Sequence, residues 1–147
     1  MSGKIKAPTE TPTTGRYSDE HGRIGSLYRT RYFRDATFGA LRLIEPVAQR
    51  HGLTLIETAL RWVVHHSALR VGGVAADAAA DDGVIIGVSS FEQLQGNLRD
   101  LEKGPLPEEV VAVLDEAWML CKATAPDYWH GELVYGYDTR KALFGGT

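Results

Sequence analysis

Residues 83–98, GVIIGVSSFEQLQGNL, constrain the fold of this chain more than any other stretch. Val84, Ile85, Ile86 and Val88 form a short apolar run, β-branched at each of those positions, which predicts a strand buried on both faces. A helix signal follows at once. Ser90 and Gln93 make a Ser-x-x-Gln capping box, and Leu94 and Leu98 recur at helical spacing, so a helix is expected over 90–103. A strand apolar on both faces needs strand neighbours, yet no second strand is legible among the 147 residues. The expected architecture is mostly helical with one strand, 83–88. Its open edges predict an isolated chain that is marginally stable or self-associating.

The remaining periodicity is helical. In 35–51, Phe38, Leu41, Ile44 and Val47 share a face, with Asp35 as N-cap, Gly52 at the C′ position and Pro46 as a potential kink. In 54–67, Thr54 and Glu57 form a second capping box, and Ile56, Ala59, Leu60 and Val63 form the inward face. These two helices are expected to be antiparallel neighbours across a short glycine turn. A third helix starts near Pro107, with Glu108 and Glu109 suited to its positive end and Val110, Leu114, Ala117 and Cys121 as core stripe. Residues 1–27 read as a loop or disordered arm, 70–83 as a long mobile loop, and the aromatic tail from Pro126 as irregular.

Composition narrows the function. A formal net charge of -3 provides no field for nucleic acid or anionic membrane. The apolar runs are too short to span a bilayer. A single cysteine, Cys121, rules out a disulfide framework, and a free thiol without a signal peptide fits a cytoplasmic protein. His65 and His66 diverge by about 100° on a helix, and His51 and His130 lack partners at ligand spacing, so no metal site is expected. Arg29 and Arg31 read as a solvated face.

The turn that enters the 90–103 helix carries the most chemistry. Free N–H groups and a partial positive charge at a helix N-terminus attract phosphate. Ser89 and Ser90 add hydroxyls there. Gln93 and Asn97 add amides four residues apart on one face, and Gly96 leaves room for a flat group. Plain helix capping by Ser90 and Gln93 explains part of the same pattern and stays open.

Taken as a set, YRTRYF (28–33), HGLTLIETALRWVVHHS (51–67), GVIIGVSSFEQLQGNL (83–98), LEKGPLPEEVVAVLDEAW (101–118) and PDYWHGELVYGYDT (126–139) resemble the aldo-keto reductases, in particular the aflatoxin-aldehyde-reductase-like branch and its fungal relatives. The resemblance implies an α/β fold, the C-terminal portion of a (β/α)8 TIM barrel. Residues 83–88 would be its eighth strand and 28–147 its barrel part. It also implies NADPH as cofactor and a small carbonyl compound as substrate. Carried over, Ser89 matches the serine at the adenosine 2′-phosphate. Gln93 and Asn97 match positions beside phosphate and adenine, Ser90 and Gly96 line the same edge, and Lys4 and Arg16 match the loop over the pyrophosphate. Tyr128 and Trp129 fall where the family's C-terminal loop closes the substrate pocket. Many members carry Lys or Arg where this chain has Val88 and Gln93, which weakens the case for NADPH over NADH. The family's catalytic Tyr, Lys, Asp and His have no match here, so no catalytic residue is expected in the chain. A non-catalytic helical module that binds nucleotide or a partner is the alternative.

Overall fold

A computed structural model describes residues 4–72, 81–126, 136 and 138–145. Among these residues six α-helices form: α1 (Arg23–Tyr32), α2 (Asp35–Arg50), α3 (Leu55–His65), α4 (Phe91–Leu101), α5 (Glu108–Cys121) and α6 (Thr139–Phe144). Their boundaries follow from local chemistry. The Thr54 hydroxyl accepts the Glu57 N–H at 3.0 Å and starts α3. Ser90 does the same for Gln93 at 3.2 Å and starts α4. Gly52, at φ +67°, takes the left-handed conformation that ends α2 at little cost. Asp35 is not the cap of α2. Arg34 holds the extended cap position, and Asp35 begins the helix, where its charge still meets the positive end. The helix runs through Pro46 to Arg50 without dividing. In the tail expected to be irregular, the Asp138 side chain accepts the Lys141 N–H and caps α6.

Helix α2 packs chiefly on α5, and α3 on α4, so α2 and α3 are not each other's main partners despite the short turn between them. The α2–α5 pair is antiparallel. The Cys121 thiol at the end of α5 donates to Ala36 O at 3.3 Å near the start of α2, while Arg50 and His51 at the end of α2 meet Glu109 at the start of α5. Phe38, Ala40 and Ala48 from α2 are buried, as are Val110, Val113 and Ala117 from α5. Val113 thus takes a place expected of Leu114 and Cys121, which are half-buried.

The Glu109 clasp yields a prediction. Hydrogen bonds from His51 and then Arg50 hold its carboxyl below the usual 4.5. A depressed carboxylate contributes stability that is present above its unfolded pKa and lost as pH falls through the folded one. The difference in Tm between wild type and Glu109→Gln should therefore shrink below pH 4.5, as followed by thermal melts from pH 7 downward. A constant offset across that range would show that the clasp carries no linked stability.

Two further expectations change. No strand forms among the described residues. Backbone 83–88 is irregular, with only an isolated parallel bridge between Val71 and Asp82 beside it. Ile85 is fully exposed, and Val88 is exposed too. A strand's backbone groups are satisfied by its neighbours, and among the described residues none is alongside. The same lack of cover leaves Ile56 and Ala59 on α3 and Leu98 on α4 exposed, although the pattern predicted them inward. Glu57, Thr58 and Val64 are the residues of α3 that are buried.

The stretch 1–27 holds more order than a loop. Helix α1 begins at Arg23, after a 3-10 turn at Asp19–His21, and Ser18 is completely buried. Arg29 draws this arm in, donating to Tyr17 O and to the Asp19 carboxylate. The Tyr17 ring lies 5.2 Å from Phe33, and Phe33 meets Phe38 edge-on at 5.5 Å, so an aromatic ladder ties the arm to the α2 core. Arg31 stacks toward Tyr32 at 5.7 Å. Both arginines are half-buried rather than solvated.

Candidate phosphate-binding turn

The turn before α4 brings Ser89, Ser90 and Gln93 together. The Ser89 N–H and its hydroxyl both donate to Gln93 Oε1, at 2.9 and 3.0 Å. Two donors thus converge on one oxygen at a helix N-terminus, where the partial positive charge is greatest. The Ser90 hydroxyl accepts the Gln93 N–H. Gly96 and Asn97 lie on the next turn, both half-buried. A Cβ placed on Gly96 would meet nothing within 4 Å, so the helix surface there is open to a flat group. All of these residues except Gly96 and Asn97 are exposed to solvent.

One participant escaped the sequence reading. Glu92 sits in the first turn of α4, and hydrogen bonds from its own backbone N–H and from Ser90 hold its carboxyl below the usual 4.5. An ionised carboxylate therefore competes for the same positive helix end that a phosphate would use. The signal was legible: an acidic residue at the third position after Ser89, inside a first turn, is a common helix stabiliser.

The other candidates lie elsewhere. Arg16 is exposed, with its guanidinium 5.3 Å from the centre of the Tyr28 ring, on the arm that docks against α1. Lys4 is exposed near the start of the chain. Tyr128 and Trp129 fall outside the described residues. An open cleft of about 940 Å³, lined by Val64, His65, Val84, Leu101 and Lys103, is separate from the Ser89–Asn97 residues. The cleft is open to solvent and encloses no space for a ligand. No group of three or more metal-ligating side chains occurs among the described residues, and no helix there is long and apolar enough to cross a membrane.

The profile of the Aldo/keto reductase family matches residues 8–119. The chain belongs to the aldo/keto reductase family. It is 46% identical over 103 residues to an aldo-keto reductase of Pseudocercospora fijiensis (strain CIRAD86), covering 70% of this chain and 32% of that protein. Similarity extends to aldo-keto reductase pigE of Monascus ruber, 40% identical over 110 residues, which are 75% of this chain and 29% of that one. Human aflatoxin B1 aldehyde reductase member 2 is 38% identical over 106 residues, 69% of this chain and 28% of the relative. These likenesses place the aldo/keto reductase chain in the aflatoxin-aldehyde-reductase-like branch. It spans about a third of the length of the curated relatives it matches.

Family membership implies a (β/α)8 barrel. In such a barrel every helix covers a strand, and every strand has two neighbours. The apolar faces left open on α3, α4 and 84–88 among the described residues are consistent with part of such a barrel. The family generally draws on a nicotinamide dinucleotide, NADH or NADPH, and helix N-termini are suited to the phosphates of such a cofactor.

Proposed function

We propose that this chain is the NADPH-binding, C-terminal portion of an aldo/keto reductase that converts an aldehyde or ketone to an alcohol. The observation that carries the proposal is the convergence of the Ser89 N–H and hydroxyl on a single oxygen position, now held by Gln93 Oε1. A 2′-phosphate oxygen there would receive both donors and the helix charge, and the Gln93 amide would swing aside. Asn97, one turn on, is suited to the adenine edge, with Gly96 as its open neighbour. Arg16 and Lys4 would approach the pyrophosphate from the arm, and Tyr128 and Trp129 would border the carbonyl substrate.

The bound nicotinamide supplies the hydride. The task of the chain's own residues is to hold the adenosine end. Proton donation belongs to the Tyr, Lys, Asp and His set of the family, for which this chain offers no counterpart. Without that set the chain alone is expected to bind cofactor and not to turn over. Its open apolar faces support self-association when it is isolated, and its composition supports a cytoplasmic setting.

Fluorescence titration of the 147-residue chain with NADPH, with NADH alongside, tests the proposal. Saturable binding should weaken about tenfold in Ser89→Ala, as expected for loss of a hydrogen bond to a charged group, and less in Asn97→Ala. NADH should be insensitive to Ser89→Ala. Equal loss for both cofactors would remove the 2′-phosphate assignment. Absence of saturable binding at millimolar NADPH would remove the half-site altogether.

A further inference from the structure

The segment that joins α4 to α5 is held through its backbone by Arg61 and His65 of α3 and by His66, the residue that caps the end of that helix. His65 Nε2 donates to Lys103 O at 2.7 Å. Arg61 donates through Nε to Gly104 O at 2.7 Å and through a terminal nitrogen to Pro105 O at 2.6 Å. The Leu106 N–H donates to His66 Nε2 at 2.9 Å. Consecutive backbone groups from 103 to 106 are therefore each bound by a side chain at position 61, 65 or 66. The hydrogen-bond chemistry fixes opposite tautomers on adjacent histidines. A carbonyl can only accept, so His65 carries its proton on Nε2. A backbone N–H can only donate, so His66 Nε2 must be bare and its proton sits on Nδ1.

We propose that His66 is a proton-operated fastener: neutral, it holds the Leu106 amide, and charged, it releases that amide while Arg61 and His65 keep their hold on 103–105. Protonation gives Nε2 a hydrogen that faces the Leu106 N–H, so the bond is lost and two donors oppose each other. His65 behaves differently, because a second proton on its ring leaves the Nε2–H to Lys103 O intact. The surroundings resist a charge on His66. Arg61 and His65 of α3 stand beside it, and Lys103 lies on the adjoining segment, bound through its carbonyl by His65. Two carboxylates of this corner, Glu57 and Asp100, are already bound, and Glu102, which lines the open cleft with His65, is exposed. Lys103 Nζ lies 3.0 Å from Glu57 and 2.9 Å from Asp100, and Arg61 reaches Glu57 at 2.9 Å. Burial first, then His65 and Arg61, push the His66 pKa below the usual 6.5. For a base whose folded pKa is lowered, the linked stability is present above pH 6.5 and is lost as pH falls toward the folded value. The inference uses no residue of the Ser89–Asn97 turn and stands apart from the cofactor proposal.

Nuclear magnetic resonance on the ¹⁵N-labelled 147-residue chain tests it. Long-range proton–nitrogen correlations should show the Nδ1–H tautomer for His66 and the Nε2–H tautomer for His65 at alkaline pH, with His66 titrating below 6.5. Leu106 amide exchange, corrected for its intrinsic rate, should lose about tenfold protection as His66 charges. The Val110 amide, bonded to Pro107 O at 3.0 Å, should not follow that step. In His66→Gln the side-chain carbonyl accepts at every pH, so the step should vanish. An Nε2–H tautomer on His66, or Leu106 protection that ignores the His66 titration, would overturn the proposal. Persistence of the step in His66→Gln would do the same. The wild-type tautomer decides the matter should that variant fail to fold.

Discussion

Phe38→Ala is expected to abolish the cooperative unfolding transition of this chain at 25 °C. Phe38 is 1% exposed and is the largest fully buried side chain of the structure. Replacing such a residue by alanine removes its transfer free energy and leaves a cavity, at a cost of about 3–5 kcal/mol. Small domains hold only about 5–15 kcal/mol in total. This chain belongs at the bottom of that range, because Ile56, Ile85, Val88, Phe91 and Leu98 stay exposed and contribute little burial. Phe38 also links two parts of the molecule, since it packs edge-on against Phe33, which in turn contacts Tyr17 of the arm. Urea titration followed by helix circular dichroism should show a sigmoid for wild type and a featureless decline for the variant. A variant that keeps its sigmoid, shifted by less than about 1 kcal/mol, would mean that the site collapses around the cavity and that Phe38 is not the centre of the fold.

How far the sequence foretold this structure depends on the range of the interaction involved. Thr54 with Glu57, Ser90 with Gln93, and Gly52 each act within a few residues, and each does what its pattern predicts. The strand at 83–88 was read from side chains that are indeed β-branched and apolar, but strand formation needs backbone partners distant in sequence. The family's barrel would supply them, and none lies alongside among the described residues. The inward faces of α3 and α4 misread for the same cause: Ile56, Ala59 and Leu98 are apolar toward a surface that the described residues leave uncovered. Arg29 failed in the other direction. Charge and exposure are correlated, so it read as solvated, whereas its guanidinium binds a backbone carbonyl and a carboxylate brought in by the arm. At the candidate site, the hydroxyls and amides were legible as residue types. Their convergence on one oxygen was not, because it depends on the rotamer of Gln93. The clasp at 103–106 was invisible for a related reason. His65 and His66 were weighed as metal ligands, but backbone groups some forty residues away are their partners.

Gly25→Ala should detach the arm from α1. A Cβ at position 25 would stand 1.9 Å from the Ser18 carbonyl oxygen and 2.9 Å from its carbon. Both obstacles are backbone, so no side-chain rotation relieves the clash. Ser18 is itself completely buried, with its hydroxyl donating to Gly15 O at 2.7 Å, so the segment has no slack. The cost should reach about 3 kcal/mol, the upper part of the range for overpacking. Gly39→Ala is the control, because its Cβ would come no nearer than 4.0 Å, to the end of the Arg42 side chain. Alanine inside α2 should stabilise by about 0.5–1 kcal/mol. Two readouts separate detachment from general loosening. Trypsin should cut at Arg16 and Arg23 far faster in Gly25→Ala than in Gly39→Ala. Burial, together with Tyr32, raises the Tyr17 phenol above 10.0 in the docked arm, and its ultraviolet titration should move back down in Gly25→Ala alone. The arm also carries Arg16 against Tyr28, so its release should weaken NADPH binding as much as Arg16→Ala does, if the arm reaches the pyrophosphate as proposed. Detachment with unchanged cofactor affinity would confine the arm to a structural role and leave the Ser89 turn to hold the phosphate alone. An alanine at position 25 that leaves proteolysis, the phenol titration and stability unchanged would mean that the Ser18 carbonyl can retreat, and that the close approach at Gly25 does not hold the arm in place.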